Sequence, residues 1–254
     1  MCTLIVALGQ YAEAPLVVAA NRDEKLDRPA REPFLWTGGP GEPFVAGRDE
    51  LGGGTWLGLN RAGLFVGVTN RFGVNRDDRR ASRGALVVEA LGASSARALH
   101  ARLGGLEPSR YNAFHLLYAD RGEAFVTWSD GSAVRQEALV PGVHVVTERS
   151  LGGDDRARTE TVRALWRGLP AGRAPTALEL LALLRHHRED DPLGSVCVHA
   201  PALGYGTRSA CVLRLGAGGE DVELWWAEGA PCTVEPRRLD GLAEALRHSQ
   251  VTMA

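Results

Sequence analysis

Lysine is all but missing from this chain: Lys25 stands alone, although lysine and arginine together number 29. Against 31 acidic residues this leaves a net charge of −2. That balance excludes the strongly basic face on which nucleic acid or an anionic membrane would be held. The arginine bias reads as the mark of a GC-rich genome. No apolar run approaches the roughly 18 residues of a membrane-spanning helix. The first twenty residues lack the basic start and apolar stretch of a secretory signal, so a cytoplasmic protein is expected. The four cysteines, Cys2, Cys197, Cys211 and Cys232, form no Cys-x-x-Cys, and a chain of this length needs no disulfide staples. The Gly-x-Ser-x-Gly elbow of serine hydrolases and the Gly-x-Gly-x-x-Gly dinucleotide fingerprint are both missing.

What is present is an order of short elements. Apolar, β-branched runs predict strands at 2–7 and 16–20, with a turn at 9–15. The Pro- and Gly-rich stretch 28–43 reads as a loop. Further strands are expected at 44–48, 55–60 and 64–70, the last two joined by a turn at Asn60-Arg61-Ala62-Gly63. The arginine-dense stretch 71–80 reads as an exposed loop. Ser82 marks the start of one helix, and Ser94 or Ser95 that of another. Strands are expected near 114–119, 124–129, 133–139 and 143–147, helices over 155–169 and 176–187, strands at 209–215 and 222–227, and a final helix at 239–248. Runs of strands followed by runs of helices argue for an α+β fold with antiparallel sheets. With no linker or repeat, residues 1–254 read as a single domain.

Cys2 carries the first chemical signal. A small side chain at position two favours removal of the initiator methionine, which would give Cys2 a thiol and a free α-amine. That amine titrates at roughly 7.7–8.0 and can serve as a base to the adjacent nucleophile. Asn21-Arg22-Asp23-Glu24 follows the second predicted strand, where active-site residues commonly sit. Asn70, at a strand end, has an amide able to donate to an oxyanion or to cap a turn. Arg208 has a guanidinium able to hold a carboxylate or lower a thiol pKa. His186-His187 and Cys197-Val198-His199 have metal-ligand character but lack the second half of any zinc pattern, so no metal site is expected.

Taken in order, Met1-Cys2-Thr3, Asn21-Arg22-Asp23-Glu24, Gly53-Gly54-Thr55-Trp56-Leu57-Gly58, Thr69-Asn70-Arg71, Ser82-Arg83-Gly84, Tyr111-Asn112 and Tyr205-Gly206-Thr207-Arg208 resemble the NRDE family, relatives of transport and Golgi organisation protein 2. The resemblance implies an N-terminal-nucleophile hydrolase-like fold, a four-layer αββα sandwich. N-terminal-cysteine enzymes of that kind cleave linear amides. By position Cys2 would be the nucleophile, Asp23 would orient its amine, Asn70 would serve the oxyanion and Arg208 would sit beside the thiol. Asn21, Arg22, Trp56 and Glu148 would face the substrate. Glu148 stands where those amidases carry a second asparagine, and an ionised carboxylate cannot donate to an oxyanion. The resemblance thus implies a hydrolase of a linear amide or thioester in a small acylated substrate, with no cofactor required. The alternative is a non-catalytic carrier of haem or of an acyl-CoA or lipid.

Overall fold

Seven residues of apolar and β-branched character, Cys2–Leu8, form β1, and Leu16–Lys25 form β2. A computed structural model of the chain describes residues 2–37, 41–151, 156–218 and 221–249. The further strands are β3 (Ala30–Trp36), β4 (Phe44–Asp49), β5 (Leu57–Asn60), β6 (Phe65–Asn70), β7 (Phe114–Ala119), β8 (Ala124–Ser129), β9 (Val134–Leu139), β10 (Gly142–Val146), β11 (His199–Ala200), β12 (Tyr205–Leu215), β13 (Val222–Ala227) and β14 (Arg237–Arg238). The helices are α1 (Arg83–Leu91), α2 (Ala96–Leu103), α3 (Arg156–Arg167), α4 (Ala177–Leu184) and α5 (Asp240–His248). Residue 155, the expected start of α3, lies outside the described residues. Among the described residues no helix is long and apolar enough to cross a membrane.

The strands make two antiparallel sheets, ordered β10-β1-β2-β12-β13-β14 and β3-β4-β5-β6-β7-β8-β9, with β11 pairing β12. The expected α+β class with antiparallel sheets therefore holds. Where one domain was expected, the chain divides into two compact units. One comprises Met1–Arg28 with Pro141–Asp240, the other Pro29–Val140 with Gly241–Ala254.

In the first unit, α4 lies across β2 and β12. Alternation along β1 and β2 sends Ile5, Ala7, Val17 and Ala19 to the helix side, where they pack with Leu180, Leu181 and Leu184. Thr176 and Glu179 close a capping box at the start of α4, satisfying two backbone donors that the first turn cannot. β2 runs five residues past the expected end at Ala20, because β12 pairs with it from Leu16 through Lys25. Asn21 to Asp23 therefore sit inside a sheet and not on a loop.

In the second unit the predicted loop at 28–43 is overturned by β3. Its Pro29 and Pro33 misled the reading. β3 is an edge strand with a register shift between Arg31 and Phe34, and prolines are tolerated at such an edge because no partner needs their missing N–H. The turn at Asn60 is present: its Oδ1 accepts from Leu64 N–H at 2.9 Å, and its Nδ2 donates to the Leu91 and Ala93 carbonyls at 2.8 and 2.6 Å. One side chain thus ties the β5–β6 hairpin to the end of α1. Ser82 and Ser95 cap α1 and α2, as the sequence indicated.

Two of the glycine motifs meet here. Thr55 N–H donates to the Gly84 carbonyl, and a Cβ on Gly54 would fall 2.2 Å from the Gly84 backbone. Gly54→Ala should therefore lower unfolding free energy by about 3 kcal/mol, the upper part of the usual overpacking range. Gly105→Ala, whose Cβ would meet nothing, should change it by less than about 0.5 kcal/mol. Urea unfolding of both variants checks this, and equal effects would rule out the backbone contact as the cause.

Candidate active site

The β1–β2 ladder pairs Cys2 with Arg22 and Thr3 with Asn21. Paired residues share a face, so Cys2 and Arg22 lie on one side of the sheet and Thr3 and Asn21 on the other, toward α4. Cys2 is half-buried, whereas Arg22 and Asp23 are buried. Burial pushes the Cys2 thiol above its ordinary pKa, Asp23 adds to the rise, and a backbone hydrogen bond from Asp23 and the charge of Arg22 oppose it.

Asp23 is held by two hydroxyls. Its Oδ1 accepts a 2.6 Å hydrogen bond from Thr207 Oγ1, and its backbone carbonyl accepts from Tyr205 Oη at 2.7 Å. Thr207 Oγ1 in turn accepts from Val198 N–H at 2.8 Å. Desolvation lifts the Asp23 carboxyl from 3.8 to about 6; the charge of Arg158 and the Thr207 bond pull down, and Glu148 pushes up. A buried carboxyl titrating near neutrality is suited to holding an amine or relaying a proton.

Glu148 is buried and paired. Arg158 Nη1 donates to its Oε2 at 3.2 Å, and the Arg158 guanidinium also donates to the Leu193 carbonyl. The Glu148 charge is balanced by an arginine that sequence spacing did not single out, placed there by the first turns of α3.

The other expected site residues fall differently. Asn21 spends its amide on the Leu184 and Val196 carbonyls, at 3.0 and 2.8 Å, which fastens α4 and the segment before β11 to β2. Its expected place facing substrate gives way to that structural one. Arg208 sits at the register shift of β12, and its guanidinium donates to the Leu26 carbonyl. The arginine whose charge acts on Cys2 is Arg22. Trp56 is buried in the second unit, with its ring over Gly47, where a Cβ would come within 2.8 Å of it. It packs there as a core side chain. Asn70 is exposed at the end of β6 in the second unit. Its neighbours Thr69 and Arg71 bracket His115, at 3.1 Å to Nδ1 and 3.0 Å to Nε2. Because arginine only donates, Nε2 is the acceptor and Nδ1 carries the proton.

Sequence reading passed over Tyr205, Thr207 and Arg158. The signal for the first two was the motif Tyr205-Gly206-Thr207-Arg208 itself. Attention went to its charge, while the hydroxyl two residues from Tyr205 along the strand reaches the carboxylate.

Two outcomes follow. Glu148→Gln leaves Arg158 buried without its counter-charge and should cost about 3–5 kcal/mol, much of it recovered when Arg158→Met is added. Denaturant unfolding of the single and double variants decides it, and a neutral single variant would contradict the pairing. For Asp23 the folded-state pKa is raised. Between about pH 4 and 6 the folded chain keeps a proton that the unfolded chain has lost, so stability falls as pH rises and the cost is complete above that window. Asp23→Asn should flatten that slope, removing about 1–3 kcal/mol of pH dependence. An unchanged slope would mean that Asp23 titrates normally.

A family model described as Transport and Golgi organisation 2 matches residues 1–224. The Transport and Golgi organization protein 2 homologs of Bos taurus and Homo sapiens are 28% and 26% identical over 233 residues, covering 80% of this chain and 83% of each relative. Among solved structures, a Caenorhabditis elegans N-acylethanolamine-hydrolyzing acid amidase ortholog superposes with a TM-score of 0.60 at 13% identity, covering 98% of both chains. Penicillin V acylase from Agrobacterium tumefaciens gives 0.51 at 16% identity, covering 89% of this chain and 86% of that one. A variant of conjugated bile acid hydrolase from Clostridium perfringens gives 0.53 at 10% identity over 99% and 96%. At these identities the likeness is one of fold, that of N-terminal-nucleophile hydrolases.

Proposed function

The chain belongs to the Transport and Golgi organisation 2 family, and we propose that it works as an N-terminal-cysteine hydrolase of a linear amide or thioester bond in a small acylated substrate. The observation that carries the reading is the placement of Cys2 at the start of a central strand, in register with Arg22 and beside a buried Asp23 whose carboxyl is raised to about 6. The fold shared with an acid amidase, a penicillin acylase and a bile acid hydrolase supports it.

In this reading Met1 is removed and the α-amine of Cys2 takes the thiol proton. Sγ then bonds to the acyl carbon. The tetrahedral intermediate collapses, the C–N or C–S bond breaks, and the amine returns the proton to the leaving nitrogen or sulfur. Water repeats the sequence on the Cys2 thioester and releases the acid. Burial raises the thiol pKa, which keeps Cys2 protonated until a base takes the proton and makes that base indispensable. Asp23 holds the protonated amine, with Thr207 and Tyr205 fixing the carboxylate and its backbone.

The test is the mass of the purified protein together with turnover of a panel of N-acyl amides and acyl thioesters. The expected result is a mass short of one methionine and a rate that Cys2→Ala lowers at least about a thousandfold. Met1 retained on a working enzyme, or a rate indifferent to Cys2→Ala, would defeat the nucleophile reading. Titration with haem and acyl-CoA would then address the carrier alternative.

A further inference from the structure

Four side chains in the first unit, none of them part of the candidate active site, lie close to one another. They are Cys197, His199, Cys232 and His187. Cys197 Sγ lies 3.6 Å from Cys232 Sγ and 3.5 Å from His199 Nε2, and His199 Nε2 lies 3.0 Å from Cys232 Sγ. The ligand atoms of His187, His199 and Cys232 lie within 4.8 Å of one another. We propose that these residues form a tetrahedral Cys2His2 site for a single zinc-class divalent ion.

The separations are of the size that an ion would set. Around a tetrahedral zinc with Zn–S of about 2.3 Å and Zn–N of about 2.0–2.1 Å, sulfur–sulfur edges are about 3.8 Å and sulfur–nitrogen edges about 3.6 Å. Two of the three measured edges agree within about 0.2 Å of those values, and the third is shorter. Two sulfurs and two imidazoles are a borderline-soft donor set, which suits zinc and not magnesium or calcium.

The surroundings orient the ligands. His187 Nδ1 donates to the Arg185 carbonyl at 3.0 Å, which leaves Nε2 with the lone pair. Cys197 N–H donates to the His186 carbonyl at 2.8 Å, joining the two ligand-bearing segments through the backbone. Cys232 comes from the turn after β13, far away in sequence, and supplies the half that the Cys-x-His spacing lacked. A bound divalent ion displaces the protons of both thiols as it enters. His199, with Tyr205, Arg208 and Thr233, lines a cavity of ≈ 480 Å³ through which an ion can enter. His187 is exposed and the others are half-buried or buried, so His187 is the outer ligand of the proposed site.

The experiment uses the full chain carrying Cys2→Ala, so that Cys2 cannot contribute a thiolate, kept in reductant and stripped with a chelator. Zn²⁺ and Co²⁺ are added separately. The expected result is one ion per chain, with the intense visible bands of tetrahedral Co²⁺ and a near-ultraviolet thiolate-to-cobalt band. Cys197→Ser and Cys232→Ser should each weaken the thiolate band and lower affinity at least about tenfold, since second-sphere changes alone cost 10–100-fold. His187→Ala, at an exposed position, should fold normally and also bind more weakly, so the proposal remains testable if a cysteine variant fails to fold. Weak bands of octahedral Co²⁺, affinity indifferent to both serine variants and to His187→Ala, or a Cys197–Cys232 disulfide persisting in reductant would each overturn it.

Discussion

Burying Asn21, Arg22 and Asp23 in the middle of a sheet is the constraint around which the first unit is arranged. Each is almost wholly shielded from water, and an unsatisfied polar group there costs more than a hydrogen bond returns. The amide nitrogen of Asn21 donates to two carbonyls, one at the end of α4 and one before β11. Oδ1 of Asp23 accepts from Thr207 on the neighbouring strand, with Tyr205 on its carbonyl. These demands extend β2 beyond its apolar stretch and fix where β12 must begin. They also set the helix above the sheet. The chemistry of Cys2 inherits its surroundings from this arrangement, because the first rung of β1 is paired to the strand so held.

The strands and helices were largely legible because apolar periodicity and caps report local geometry. The caps at Ser82 and Ser95 and the turn at Asn60 could be read from neighbours three or four residues away. β3 could not, since its proline is compatible with a strand only at an edge, and edge position is a property of the whole sheet. The same limit applied to the site. Cys2 and Asp23 stood out by position and resemblance, but the partner of Glu148 is an arginine ten residues on, in a helix whose orientation no local pattern reveals. Arg208 drew attention as a charge, whereas the bulge in β12 turns it to a backbone carbonyl. Cys232 and His187 join Cys197 and His199 only through folding.

The two clusters in the first unit share a structural element without sharing residues. Val198, between two of the proposed metal ligands, donates to the hydroxyl that Thr207 directs at Asp23. The position of residues 197–199 and the environment of the Asp23 carboxylate are therefore set together through one oxygen atom. Tetrahedral closure around an ion would hold that oxygen in place and with it the carboxylate, which is how an ion distant from the chemistry can act on its pre-organisation.

The proline of β3 bears on a different property, the behaviour of the folded protein in concentrated solution. A sheet of seven strands has two rims at which another chain could add by backbone pairing. At one rim of this sheet Pro33 withholds a donor and the register shifts before Phe34; at the other, β9 carries the polar run Arg135, Gln136 and Glu137. In the other sheet one rim is reduced to the two residues Arg237 and Arg238, and the opposite rim, β10, has α3 against it. A molecule built so largely of apolar strands thereby presents few templates for fibrous stacking, and the proline that obscured β3 in the sequence is one of the features that blunt its rim.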